Sequence, residues 1–156
     1  LNRLMGIPNA GELFGVNRSA IEKAAMEAVM RREVELGYMP RDVSTWNVGY
    51  DIESTIPFEK RDGGPCLRFI EVKGRQKGAT TVTVSKNEIL TALNKPEEFI
   101  LGLVEVDGTQ TQVTYLRRPF TAAPDFTATS VNYEIAALIH AGIMENDNLD
   151  YAGDIR

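Results

Sequence analysis

The run Phe-Ile-Leu-Gly-Leu-Val at 99–104 constrains the fold more than any other segment. It is apolar without alternation, as expected of a strand covered on both faces. Such a strand belongs inside a sheet packed between helices, so the expected class is α/β, with a mixed sheet flanked by helices. Apolar runs of this length are also far too short to cross a bilayer.

Residues 17–37 repeat apolar side chains at helical spacing, with Ile21, Ala24, Ala25, Ala28 and Val29 on one broad side and Gly37 as a stop. Ser19-x-x-Glu22 fits a capping box, which predicts a helix opening near Asn17. Strands are expected at 46–54, 67–75 and 80–85, with the Asp-Gly-Gly-Pro turn at 62–65 between the first two. A second Ser-x-x-Glu pattern, Ser85 to Glu88, opens a short helix that stops before Lys95-Pro96. Asp107-Gly108 marks a hairpin between two further strands, and 130–142 reads as a last helix ended by Gly142. A chain of 156 residues suits one domain. We place it at 17–142, with 1–16 as an N-terminal segment or linker and 143–156 as a loosely held acidic tail.

Composition narrows the function classes. With 43% hydrophobic and 25% charged residues, neither wholesale disorder nor a fibrous architecture is indicated. One cysteine, Cys66, cannot form an internal disulfide, and with His140 it does not make a zinc site; both read as plain structural residues. The net charge of −5 argues against a surface coated for nucleic acid. Within 60–86, however, Lys60, Arg61, Arg68, Lys73, Arg75, Lys77 and Lys86 meet only Asp62 and Glu71. That strip is either a solvated face or a place for a polyanion. The expected protein is soluble and cytoplasmic, without a membrane partner. Its start at Leu1 suggests a piece of a longer chain.

The chemistry concentrates at Leu67–Arg75, "LRFIEVKGR". Alternation puts Leu67, Phe69, Glu71 and Lys73 on one face and Arg68, Ile70 and Val72 on the other. A carboxylate and an ammonium ending an apolar strand are costly to desolvate unless they pair or hold something. By themselves they read as a sheet-end ion pair or as a site. If the preceding strand pairs with this one, Asp51 approaches Glu71, and two close carboxylates repel unless a divalent cation relieves them. Glu22 shares a helical stripe with Ala25, Met26 and Val29; it either faces the sheet or caps with Ser19. All-oxygen ligation suits Mg²⁺ or Mn²⁺, and a lysine beside the metal stabilises charge on a phosphate oxygen. Gly74, lacking a side chain, leaves room for a phosphate backbone. Trp46 and Tyr50 read as packing residues.

Asp51, followed about twenty residues later by Glu71-Val72-Lys73 in an α-β-β-β-α-β order over 17–106, resembles the PD-(D/E)xK restriction-endonuclease-like fold. The blocks "GYDIES", "RFIEVKGR", "VTVSKNEILTALNKPEEFILGLVEV" and "TSVNYEI" resemble the NO VEIN-type C-terminal domain, a nuclease-like module at the ends of large helicase-related proteins and in bacterial defence systems. The resemblance implies metal ligation by Asp51, Glu71 and the Val72 carbonyl, with Lys73 as the catalytic lysine and Glu22 as an added helical glutamate. It implies Mg²⁺ or Mn²⁺ as cofactor, nucleic acid, DNA foremost, as substrate, and helicase domains in the same parent chain. Tyr50 stands where the superfamily name has Pro. Ser85, Lys86 and Asn87 either meet a phosphate at a helix N-terminus or simply cap. No G-x-x-x-x-G-K-[ST] loop is present, so the chain carries no helicase motor itself. Three functions follow: a metal-dependent nuclease, a non-cleaving binding module in which Arg75, Gln76, Lys77 and Lys86 contact the backbone, or a protein-interaction domain whose charges form an ion-pair network.

Overall fold

The computed structural model describes residues 10–145, with side chains from residue 17 onward. The elements run α1 (Ala10–Glu35), β1 (Met39–Asp42), β2 (Ile52–Thr55), β3 (Leu67–Gln76), β4 (Thr81–Ser85), α2 (Lys86–Asn94), β5 (Phe99–Asp107), β6 (Gln110–Arg117), β7 (Ser130–Glu134), α3 (Ile135–Ala141) and β8 (Ile143–Glu145). Short 3₁₀ turns occupy Ser44–Trp46 and Phe58–Lys60.

The expected mixed sheet is present. Six strands lie in the order β1-β2-β3-β5-β6-β8, with β3 and β5 parallel and every other neighbouring pair antiparallel. β5 sits centrally, and all six residues of its apolar run, Phe99 to Val104, are buried. Both faces are covered. Ile52, Ile70, Ile100, Val104 and Tyr115 pack on Ala25, Ala28 and Val29 of α1. Phe99, Leu101, Leu103 and Leu116 pack on Ile89 and Ala92 of α2, Leu138 of α3 and Val82 and Val84 of β4. Each such large side chain contributes about 1.5–3 kcal/mol through burial.

Several boundaries differ from expectation. α1 already begins at Ala10, so Ser19 and Glu22 lie inside a continuous helix and form no cap. The strand expected at 46–54 starts only at Ile52, because a 3₁₀ turn and the left-handed residues Asn47 (φ 57°) and Gly49 (φ 94°) occupy the preceding loop. β4 leaves the main sheet and pairs with β7 in a two-stranded ribbon. Accordingly 130–142 is not one helix. Val131 and Tyr133 alternate inward onto the core, Thr83 and Asn132 hydrogen-bond across the ribbon at 3.1 Å, and helical turns start only at Ile135. The tail expected from 143 begins with an ordered edge strand, β8; the remainder of that segment, and residues 1–9, lie outside the described residues. Among the described residues no helix is long and apolar enough to cross a membrane.

Candidate active site

β2 and β3 are antiparallel, and their pairing register ends at Ile52 opposite Ile70. Just beyond it the Asp51 N–H donates to the Ile70 carbonyl, and the Val43 N–H donates to the Asp51 carbonyl, each at 2.8–2.9 Å. The Asp51 backbone is thereby fixed at both ends. Its carboxylate takes the next place along the ladder, where Oδ2 accepts the Val72 N–H at 2.9 Å. From Val72 onward the β2-side edge of β3 is open. Because backbone groups alternate edges along a strand, the Val72 carbonyl points to that same edge.

A cleft of about 520 Å³ straddles this edge. Arg18, Glu22 and Met26 of α1 form one lip and Thr83 of β4 the other, with Asp51, Glu71 and Lys73 among the lining residues. The Glu71 carboxyl lies within the α2-side layer and is 3% exposed. Lys73 Nζ lies 3.2 Å from Glu71 Oε2 and 3.0 Å from Glu88 Oε1. Glu88 stands in the first turn of α2 and closes the capping box expected from the sequence: its Oε1 accepts the Ser85 N–H at 2.8 Å, and its own N–H donates to Ser85 Oγ at 3.1 Å.

Glu71 and Glu88 thus share one ammonium in a largely dry place, with Asp51 as a third acid beside Glu71. Burial first, then the neighbouring Asp51, pushes the Glu71 carboxyl up to about 10, with Lys73 opposing only in part. Burial also raises Asp51, against the pull of the Val72 N–H. Burial acts to raise Glu88 too, but the Ser85 N–H and Lys73 outweigh it and hold this carboxyl below its ordinary value. For Lys73, burial acts downward and is outweighed by Glu71 and Glu88, so the amine stays charged. With Glu71 pushed up and Glu88 held low, Glu88 is the more readily ionised of the two carboxyls that lie against Lys73.

This donor set fits a hard divalent cation. A buried carboxyl kept protonated beside a second carboxylate is what a cation relieves, and Asp51, Glu71 and the Val72 carbonyl are all oxygen donors at one edge. Among the described residues no group of three or more acidic, histidine or cysteine side chains forms a ready metal cage. The fit is to two carboxylates, a carbonyl and water.

The family described as Protein NO VEIN, C-terminal, matches residues 21–116, well over half of the chain. The chain belongs to that family. The NO VEIN C-terminal match takes in Glu22, Asp51, Glu71, Lys73 and Ser85–Glu88, the whole cleft apart from Arg18. No curated protein and no solved structure matches.

Other predicted residues are distributed unevenly. Glu22 stands on the lip with its side chain 67% exposed, 3.9 Å from Arg18. Arg75 lines the cleft, whereas Gln76 and Lys77 continue past it, and Lys77 pairs loosely with Asp107 at 3.6 Å. At the start of α2, the Ser85 N–H donates to Glu88 and the Lys86 N–H to the Thr129 carbonyl, so two of the three residues expected to meet a phosphate have their amides engaged. Lys86 Nζ turns away to the Phe126 carbonyl, and Asn87 is exposed beside a separate shallow groove. Gly74 does not open space for a phosphate. A Cβ there would fall 2.7 Å from Ala25 Cβ, so α1 occupies the room. Tyr50 does pack, stacking on Phe69 at 4.3 Å, but Trp46 is 54% exposed with Arg41 over its ring. Sequence reasoning gave Glu88 only its capping role and passed over Arg18. The signal for Glu88 was present, since a capping box pins the N3 carboxylate next to the strand that delivers it.

Proposed function

We propose that this NO VEIN-type domain is a metal-dependent nuclease-like module that hydrolyses phosphodiester bonds of nucleic acid, DNA foremost, within a larger helicase-related chain. The observation that carries the reading is the convergence of Asp51, Glu71 and Lys73 on one open strand edge inside a cleft. The same set on a mixed α/β sheet supports kinship with the PD-(D/E)xK fold.

Asp51, Glu71 and the Val72 carbonyl would hold Mg²⁺ or Mn²⁺. When bound, the cation neutralises a phosphate oxygen and acidifies a water. The remaining work falls to the chain. Glu71 would release its proton to solvent water on loading, leaving a second carboxylate beside Asp51. Lys73 keeps its charge and presents it to oxygen that gains negative charge as the ester breaks. Arg75 and Arg18, on the same cleft, hold neighbouring phosphates and register the strand without reading bases.

The test is incubation of the domain with plasmid and single-stranded DNA in Mg²⁺ or Mn²⁺, comparing wild type with Glu71→Ala and Lys73→Ala. Both variants should lose nicking by a hundredfold or more, on the order seen when a charge-stabilising group is removed. Equal nicking by all three would indicate a contaminating enzyme and overturn the reading.

A further inference from the structure

Lys73 has two carboxylate partners at nearly equal distance, but only Glu71 lies in the metal-ligand set. We propose that Glu88 is the positioning residue for Lys73, holding its ammonium over the cleft while Glu71 is engaged elsewhere. The inference rests on reading the cleft as a metal-dependent phosphodiesterase site.

The geometry of Glu88 suits this task. Its Oε1 binds the Ser85 N–H at 2.8 Å and the Lys73 ammonium at 3.0 Å at once, so one oxygen ties the lysine to the first turn of α2. The Glu88 N–H returns a bond to Ser85 Oγ, and the next residue, Ile89, is wholly buried in the core. The carboxylate is therefore anchored from both sides and does not follow the lysine as a flexible surface acid would. Side chains of Lys73 and Glu88 are each 19% exposed, which keeps the pair largely out of solvent.

A cation on Glu71 repels the ammonium beside it. With Glu71 as its only partner, Lys73 would either compete with the cation for that carboxylate or swing out into water. Glu88 supplies a second carboxylate outside the ligand set, so Lys73 keeps its place beside the substrate phosphate. The capping box thus couples helix formation to the placement of the catalytic lysine.

Four proteins test this: wild type, Glu88→Gln, Lys73→Met and the double variant. Glutamine at this helical position still accepts the Ser85 N–H, so the cap survives while the charge facing Lys73 is lost. Isothermal titration with Mn²⁺ should show Glu88→Gln weakening binding about tenfold when Lys73 is present, the size of one charged hydrogen bond, and less than twofold in the Lys73→Met background. Equal weakening in both backgrounds would make Glu88 a ligand or a bulk charge, and no weakening in either would remove its role; both results overturn the proposal. If the wild type neither binds Mn²⁺ nor cleaves, the nuclease reading fails, and metal-free melting of the same four proteins decides the positioning role. Non-additive losses in melting temperature would sustain the Lys73–Glu88 coupling, and additive losses would overturn it.

Discussion

Arg68 donates to both carboxylate oxygens of Glu33, from Nε at 2.8 Å and Nη2 at 3.0 Å, with neither side chain meaningfully exposed. The Tyr115 hydroxyl donates to the same Glu33 at 2.7 Å, and Glu145 accepts from Arg68 at 2.8 and 3.1 Å and from Arg117 at 3.1 Å. Two acids and two guanidiniums balance, and the network joins α1, β3, β6 and β8. It explains why β8 is ordered although Ile143 and Met144 are mostly exposed: Glu145, not apolar burial, fastens the strand.

Breaking that network should be costly. Glu33→Ala leaves the Arg68 guanidinium buried without its fork partner and the Tyr115 hydroxyl without an acceptor. We expect a loss of about 3–5 kcal/mol in urea unfolding. Arg68 and Lys73 sit five residues apart on one strand, about 17 Å at strand rise, so Mn²⁺ affinity of the folded fraction should stay unchanged. A loss under 1 kcal/mol would show that the network is not a stabilising centre.

Gly74→Ala tests the contact between α1 and β3. The added methyl would meet Ala25 Cβ at 2.7 Å and the Ile21 carbonyl at 3.1 Å, so the helix must lift. Overpacking of this kind costs about 1–3 kcal/mol. Adding Ala25→Gly removes the nearer obstacle and should recover part of the loss. Absence of any recovery in thermal melts would refute a direct clash.

What the sequence made legible follows the physics of each signal. The unalternated run at 99–104 reads as a central strand and the Ser85–Glu88 box as a helix start, and both appear where expected. The pairing of Asp51 with Glu71 followed from two strands being neighbours. Val131 and Tyr133 misled because Ile135 onward is truly helical and no glycine or proline marks the join at Glu134. Ser19 and Glu22 misled because a capping pattern looks the same in a helix interior. The Glu33–Arg68–Glu145 network was invisible, since its members are 35 and 77 positions apart and only the folded register brings them together.

Glu71 makes stability depend on pH in a defined direction. Its folded pKa of about 10 lies above the ordinary value of 4.5, so the folded state binds more protons between those limits. Stability from this group is complete below about pH 4.5 and is lost progressively as pH rises toward 10. Glu71→Gln mimics the protonated form. It should melt near wild type at pH 5 and several degrees above it at pH 9, with the gap widening steadily between. Saturating Mn²⁺ should close the gap by stabilising only the wild type. Parallel melting curves across this range would show that Glu71 is ionised in the folded protein.

Arg75, on the cleft, and Lys77, just past it, test the phosphate track. Both are exposed at the end of β3, and the Lys77–Asp107 pair, roughly two-thirds exposed on each side, holds its lysine only weakly. If each contacts one phosphate, replacing either by alanine should reduce the slope of log affinity against log salt by about 0.7 on single strands and 0.9 on duplex. Fluorescence anisotropy with a labelled oligonucleotide in Ca²⁺, which does not support rapid cleavage at most Mg²⁺ sites, separates this from catalysis. The double variant should lose both increments, with weakening uniform across sequences because phosphate contacts carry no base information. A salt slope unchanged in Arg75→Ala would mean that the nucleic acid enters from the Glu22 and Arg18 lip instead.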